Sequence, residues 1–122
     1  MKKLISRQTH AVMDYGYAAL VSGSPEMMGF KDEETATALC RAVGGAVLAS
    51  SLMTQYELGL LRVLPFKTHL ALDVAAGLFT LGAPWLFGFS HNRAARNTFV
   101  AAGAISVAAG LLTEPREMRE IS

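Results

Sequence analysis

HAVMDYGYAALVSGSPEMMGF, residues 10–30, reads position for position against HLALDVAAGLFTLGAPWLFGF, residues 69–89. The offset is 59 residues with no gap, and six of the 21 positions are identical: His10/His69, Asp14/Asp73, Gly23/Gly82, Pro25/Pro84, Gly29/Gly88 and Phe30/Phe89. Chance explains such a set poorly, because His, Asp, Gly and Pro carry specific chemistry or backbone geometry rather than bulk hydrophobicity. The register continues downstream, pairing Gly44 with Gly103, Ala49 with Ala108, Leu52 with Leu111 and Thr54 with Thr113. The chain therefore reads as two copies of one helix–loop–helix unit. Repeat 1 covers about 8–54, a connector 55–68, repeat 2 about 69–113 and a short tail 114–122, all in one domain over 1–122.

Working outward, the charges of this 122-residue chain collect at 2–7, 26–41, 57–67, 91–96 and 114–120. Between them lie four apolar segments: 10–21, interrupted only by Asp14, then 42–56, 74–90 and 97–113. A membrane-spanning helix needs roughly 17–25 mainly apolar residues. The last two segments meet that lower bound with 17 residues each. The first two meet it when Asp14 and Arg41 lie inside the span or snorkel. Composition points the same way. AVGGAVLASSLM (42–53) and FVAAGAISVAAGLL (99–112) are rich in Gly, Ala and Ser. In water such helices bury little area and carry a penalty of about 1 kcal/mol per Gly; in lipid, small residues let backbones approach. Gly45 with Ala49, Ala104 with Ala108, and the run Ala102, Ser106, Gly110 have that four-residue spacing. The expected fold is all-α, four transmembrane helices in two tandem hairpins.

Composition excludes other classes. With 52% hydrophobic residues the chain has enough apolar surface to fold, a lone Cys40 rules out a disulfide scaffold, and a net charge of +1 gives no basis for nucleic-acid binding. The mean hydropathy of +0.32 averages over the apolar segments and the charged ends between them. The first residues, MKKLISRQTHAVMDYG, are basic but lack the apolar run and cleavage site of a signal peptide.

Two spans per repeat send both copies into the bilayer in the same direction. A pseudo-twofold axis along the membrane normal is the expected symmetry, with both termini and the connector on one side. That side carries Lys2, Lys3, Arg7, Arg62, Lys67, Arg116 and Arg119; the other carries Lys31, Arg41, Arg93 and Arg96. The positive-inside rule then places both termini in the cytoplasm. At the far end, Pro25 and Pro84 interrupt the first helix of each repeat, and the tails SPEMMGF and APWLFGF are expected to bend along the interface, where Trp85 suits headgroup depth.

APWLFGF at 83–89, repeated as SPEMMGF at 24–30, resembles the motif of the SPW repeat family of small bacterial membrane proteins. The connector TQYELGLLRVLPFKTHLALD (54–73) is similar to that family's four-helix members, and the resemblance extends over about 8–113. It implies a four-span integral membrane protein of prokaryotic origin and implies no activity; the expected location is the bacterial cytoplasmic (inner) membrane. The chain departs from the motif at Glu26, where Trp is expected, and at Ala83, where Ser is expected.

His10 with Asp14 and His69 with Asp73 are spaced i,i+4 and so share a helix face. Three readings are open. Two imidazoles and two carboxylates are a ligand set for a divalent metal; they can form a proton relay; or each His can simply pair with its own Asp, or with Arg7, Arg62 or Lys67, to fix helix ends. In the connector, which holds Tyr56, Glu57 and Arg62, LGLLRVL is expected to form a short interfacial helix that either docks a partner or, as the favoured reading, simply joins the repeats. Cys40 reads as apolar filler and His91 as a solvated loop residue.

No catalytic motif emerges. VGGAV (43–47) lacks the Lys-Ser/Thr of a phosphate loop, no Ser-His-Asp set has supporting context, and Cys40 has no thiol-enzyme signature. No cofactor is implied. The expectation is a non-enzymatic scaffold or accessory subunit, its partners the lipid bilayer and a second copy or a larger membrane complex. The rivals are a ligand-, metal- or proton-handling protein using the paired His/Asp positions, a channel or transporter, and a soluble four-helix protein.

Overall fold

The computed structural model describes residues 4–117. Lys2, Lys3 and Arg119, which enter the charge comparison, lie outside that range, as does the end of the tail. Four helices follow in chain order: α1 (Arg7–Met27), α2 (Glu34–Met53), α3 (Phe66–Leu86) and α4 (Arg93–Leu112). Among the described residues there are no strands, only isolated backbone bridges. Each helix has 20 or 21 residues, about 30 Å at 1.5 Å per residue, the thickness of a bilayer's hydrocarbon core.

α2, α3 and α4 are long and apolar enough to cross a membrane. α1 matches α3 in length but is less apolar, since it carries Arg7, Asp14 and Glu26 together with Gln8, Thr9, Ser22 and Ser24.

α1 packs along α2 and α3 along α4; the two hairpins touch each other far less. Glycine sets how close the paired helices come. A Cβ on Gly103 would stand 2.7 Å from the Gly77 carbonyl oxygen, and one on Gly77 would stand 2.8 Å from that of Gly103. The equivalent crossing in repeat 1 seats Gly44 against Ala18 and Ser22. The small-residue stripes divide accordingly. Ala102 is buried and Ser106 and Gly110 are half-buried, whereas Gly45, Ala49, Ala104 and Ala108 face outward.

The prolines do not end their helices. α1 runs through Pro25 to Met27 and α3 through Pro84 to Leu86, so the first half of each tail is still helix. The stop comes from Gly29 and Gly88, at φ 76° and 75°, a left-handed conformation that side chains with a Cβ resist. The Phe30 N–H then donates to the Pro25 carbonyl (3.0 Å) and the Phe89 N–H to that of Pro84 (2.8 Å), closing a Schellman-type cap. Phe30 and Phe89 turn inward to a far-end apolar cluster with Val21, Cys40 and Phe99, so Cys40 is indeed filler. Trp85 is exposed, and Gly23 and Gly82 meet only the tips of the Met27 and Leu86 side chains.

At the motif's departure from Trp, Glu26 forms a two-pronged ion pair with Arg41 (2.9 and 2.5 Å), and Arg41 also donates to the Ser22 carbonyl. The positions equivalent to Glu26 and Arg41 in repeat 2 are Trp85 and Val100, so repeat 2 has neither member of the pair.

The connector is not a helix. Between α2 and α3 the chain forms a loop whose backbone is satisfied by the end of α2: Leu60 and Leu61 donate to the Leu52 carbonyl, and Val63 and Leu64 to that of Met53. Gly59 is wedged against the Thr54 carbonyl and Arg62 adopts φ 43°, both incompatible with a continuous helix. Leu60, Leu61 and Val63 are exposed. The bridges at this end keep the repeat register: Ile5 pairs with Thr113, and Leu64, 59 residues after Ile5, pairs with Thr54, 59 residues before Thr113.

Candidate functional site

His10 and His69 enter one turn into α1 and α3, and Asp14 and Asp73 follow one turn deeper. The Ser6 hydroxyl caps α1 by accepting from the Thr9 N–H (3.2 Å). Pro65 offers α3 no such cap; the Glu117 carboxylate supplies it, accepting from the N–H groups of Phe66 (2.8 Å) and Lys67 (3.0 Å). Starts fixed this way aim all four side chains at one another across the gap between the hairpins.

The cluster crosses the repeats. His10 Nε2 lies 2.8 Å from Asp73 Oδ2 and 3.2 Å from Asp14 Oδ1 of its own helix. His69 Nε2 lies 2.9 Å from Asp14 Oδ2 and 3.3 Å from Asp73 Oδ2. Both imidazoles are fully buried, and one ligand-capable atom from each of the four residues falls within 4.8 Å of the others. Pairing within each helix is therefore the longer contact, and the shorter one joins the hairpins.

The other ring nitrogens are fixed as well. His10 Nδ1 is 2.7 Å from Thr113 Oγ1 and His69 Nδ1 is 2.7 Å from Thr54 Oγ1. Each threonine hydroxyl gives its only proton to the carbonyl four residues earlier, Ala109 for Thr113 and Ser50 for Thr54. The hydroxyl oxygen is left to accept, so Nδ1 is the N–H donor in both rings. It follows that Nε2, the atom facing the carboxylates, is either a second N–H or a lone pair directed at a cation. A bare lone pair against carboxylate oxygens would be repulsive.

Aromatic and apolar groups close the near side: Ala11, Tyr56, Phe66 and Leu70 form a buried cluster, and Phe66 lies against both imidazoles. The Tyr56 hydroxyl donates to Asp14 Oδ2 (3.0 Å), and burial pushes its phenol well above the ordinary range. Further out, Arg7 grips Glu57 with two hydrogen bonds (3.0 and 2.6 Å) and donates to the Arg116 carbonyl (2.8 Å), tying N-terminus, connector and C-terminal segment together. The Arg7 guanidinium holds the Glu57 carboxyl below its usual range. On the deep side, a cavity of about 40 Å³ lies against Asp14, Asp73, Tyr17 and Ser106.

The four residues singled out in sequence thus meet at one point, whereas Arg7 and Arg62 are engaged elsewhere: Arg62 donates to the carbonyls of Gly59 and Glu57. His91 is exposed, with Glu33 at 3.2 Å. Sequence reasoning missed Tyr56, Glu57 and Glu117 as parts of the assembly, and no spacing marks them. It also passed over the role of Thr54 and Thr113, although their identity at the 59-residue offset was a usable signal.

A bundle of two helical hairpins with membrane-length apolar helices and a buried imidazole–carboxylate centre defines a small helical membrane protein. The SPW repeat domain matches residues 8–113, and the chain belongs to that family. Searches of curated proteins and of solved structures each returned no match.

Proposed function

We propose that the chain is a multi-pass protein of the bacterial cytoplasmic membrane that serves as a structural or accessory subunit, with no reaction of its own. The observation that carries this reading is the outward apolar face. Only 22% of the most apolar stretch of α2, 33% of that of α3 and 28% of that of α4 is buried. Leu20, Leu48, Leu72, Leu78, Ile105 and Leu111 are among the large exposed side chains, far more apolar surface than a soluble monomer tolerates. Lipid covers most of it in this reading, and the outward Gly45/Ala49 and Ala104/Ala108 stripes suit contact with helices of a second copy or a larger complex. The contacts matched at the 59-residue offset support the pseudo-twofold arrangement about the membrane normal. By sequence position, the seven basic residues of the terminal side (Lys2, Lys3, Arg7, Arg62, Lys67, Arg116 and Arg119) against four on the other favour cytoplasmic termini.

Membrane fractionation followed by mild detergent extraction and native mass spectrometry tests the proposal. The expected result is carbonate-resistant membrane association and a species larger than one chain. Release into the soluble fraction without detergent overturns the membrane location, and a strictly monomeric extracted chain overturns the subunit role.

A further inference from the structure

We propose that His10, Asp14, His69 and Asp73 form a binding site for one divalent transition-metal ion of the zinc class. The inference is independent of what the chain assembles with.

Three observations point to a cation. The first is the orientation of the rings. With Nδ1–H of each imidazole held by a threonine oxygen, both Nε2 atoms face the carboxylates, which is the tautomer a metal-binding histidine needs. Second, His69 Nε2 is fully buried and makes no hydrogen bond, although carboxylate oxygens stand 2.9 and 3.3 Å away. Third, the cavity of about 40 Å³ bordered by both aspartates is larger than the roughly 10–15 Å³ that one water needs. Space of that size admits a single ion beside the two aspartates.

Charge balance makes uptake feasible in a low-dielectric setting. Two imidazolium rings and two carboxylates sum to zero, and so do two neutral imidazoles, two carboxylates and one divalent cation. The written step is M²⁺ plus the doubly protonated centre giving the metal-bound centre plus two H⁺, with no redox change. Neither state leaves a net charge in the bundle. Two nitrogens with two carboxylate oxygens favour zinc and its neighbours over calcium or magnesium, which take six or more oxygen ligands or keep several waters. A tetrahedral ion with bonds of about 2.0–2.1 Å needs ligand atoms roughly 3.3 Å apart. The four His–Asp separations are 2.8–3.3 Å, two of them to different oxygens of Asp14, and one ligand atom from each residue lies within 4.8 Å of the others, so the side chains draw together around the ion on uptake. Of the surrounding elements, the connector contributes Tyr56 and α1 contributes Tyr17 as titratable neighbours, while α2 and α4 contribute the hydroxyls of Thr54, Thr113 and Ser106.

The test uses the full chain in detergent micelles after chelator treatment, titrated with Zn²⁺ by calorimetry. One Zn²⁺ per chain is expected, as is an intense four-coordinate visible spectrum with Co²⁺. In ¹⁵N spectra of the histidine rings, the His10 and His69 Nε2 signals should move on Zn²⁺ addition while those of His91 stay. Asp73→Asn should weaken binding at least tenfold. The ring signals are read on the unsubstituted chain, so the proposal stays exposed even where the variant misfolds. No uptake at micromolar Zn²⁺, movement of His91 alone, or unchanged affinity in a folded Asp73→Asn chain overturns it.

Discussion

His10 Nε2 lies closer to Asp73, 63 residues away on another helix, than to Asp14 on its own, at 2.8 against 3.2 Å. This cross-repeat contact and its counterpart from His69 to Asp14 fasten the two hairpins at the near end, as the buried cluster around Phe30, Phe89 and Phe99 does at the far end.

Breaking that fastening on one side leaves a buried, uncompensated charge, which costs about 3–5 kcal/mol. Asp73→Asn and His10→Gln should each lower the thermal unfolding temperature of the detergent-solubilised chain sharply. Combined, they should cost less than the sum of the two by about 1 kcal/mol or more, the mark of direct coupling. Strict additivity in that double-mutant cycle would show that the two residues do not act as a pair.

Thr54→Val and Thr113→Val remove the oxygen that accepts from Nδ1–H while nearly preserving shape. A buried donor left unsatisfied costs about 1–3 kcal/mol, and the matched 2.7 Å contacts predict losses of similar size for the two variants. Denaturant titration of both, side by side, checks this.

Gly103→Ala places a methyl 2.7 Å from the Gly77 carbonyl and forces α3 and α4 apart, an overpacking cost of about 1–3 kcal/mol. Gly45→Ala, in open space, should instead leave stability unchanged or raise it by up to about 1 kcal/mol through helix propensity. Equal effects in the two variants would contradict the packing described for these helices.

Gly29→Ala and Gly88→Ala each put a Cβ into a left-handed conformation, at a cost of about 1–2 kcal/mol apiece, with no steric clash to add to it. Asn at either position should recover part of the loss, because Asn tolerates that region. Thermal unfolding of the four single variants provides the comparison.

The Arg7–Glu57 pair predicts an acid-side dependence. Since the folded state lowers the Glu57 carboxyl below its reference value of 4.5, its contribution is present above that pH and lost as pH falls through the lowered value. Unfolding temperatures measured from pH 7 to pH 3 should fall on the acid side. Glu57→Gln should lose about 1 kcal/mol at pH 7 and show a shallower decline.

Much of this molecule is written in one dimension. The 59-residue repeat, the four apolar segments and the i,i+4 spacing of His10/Asp14 and His69/Asp73 are local or periodic properties. They suffice for four membrane-length helices in two hairpins, because helix formation and bilayer partition depend on composition over about 20 neighbouring residues. They also suffice to place a His and an Asp on one face of α1 and of α3.

Only the tertiary structure decided who meets whom. Periodicity alone does not separate Gly44, pressed against Ser22, from Gly45 beside it in open space, because the rotation of a helix about its axis is set by what packs on it. The connector's apolar run reads as an interfacial helix, yet hydrogen bonds to the end of α2 hold it as a loop and carry Tyr56 to Asp14. The crossing of His10 to Asp73 and Thr113, and of His69 to Asp14 and Thr54, likewise joins residues that no local rule connects. The repeat supplied the chemical groups; docking of the hairpins aligned their lone pairs and charges at one point.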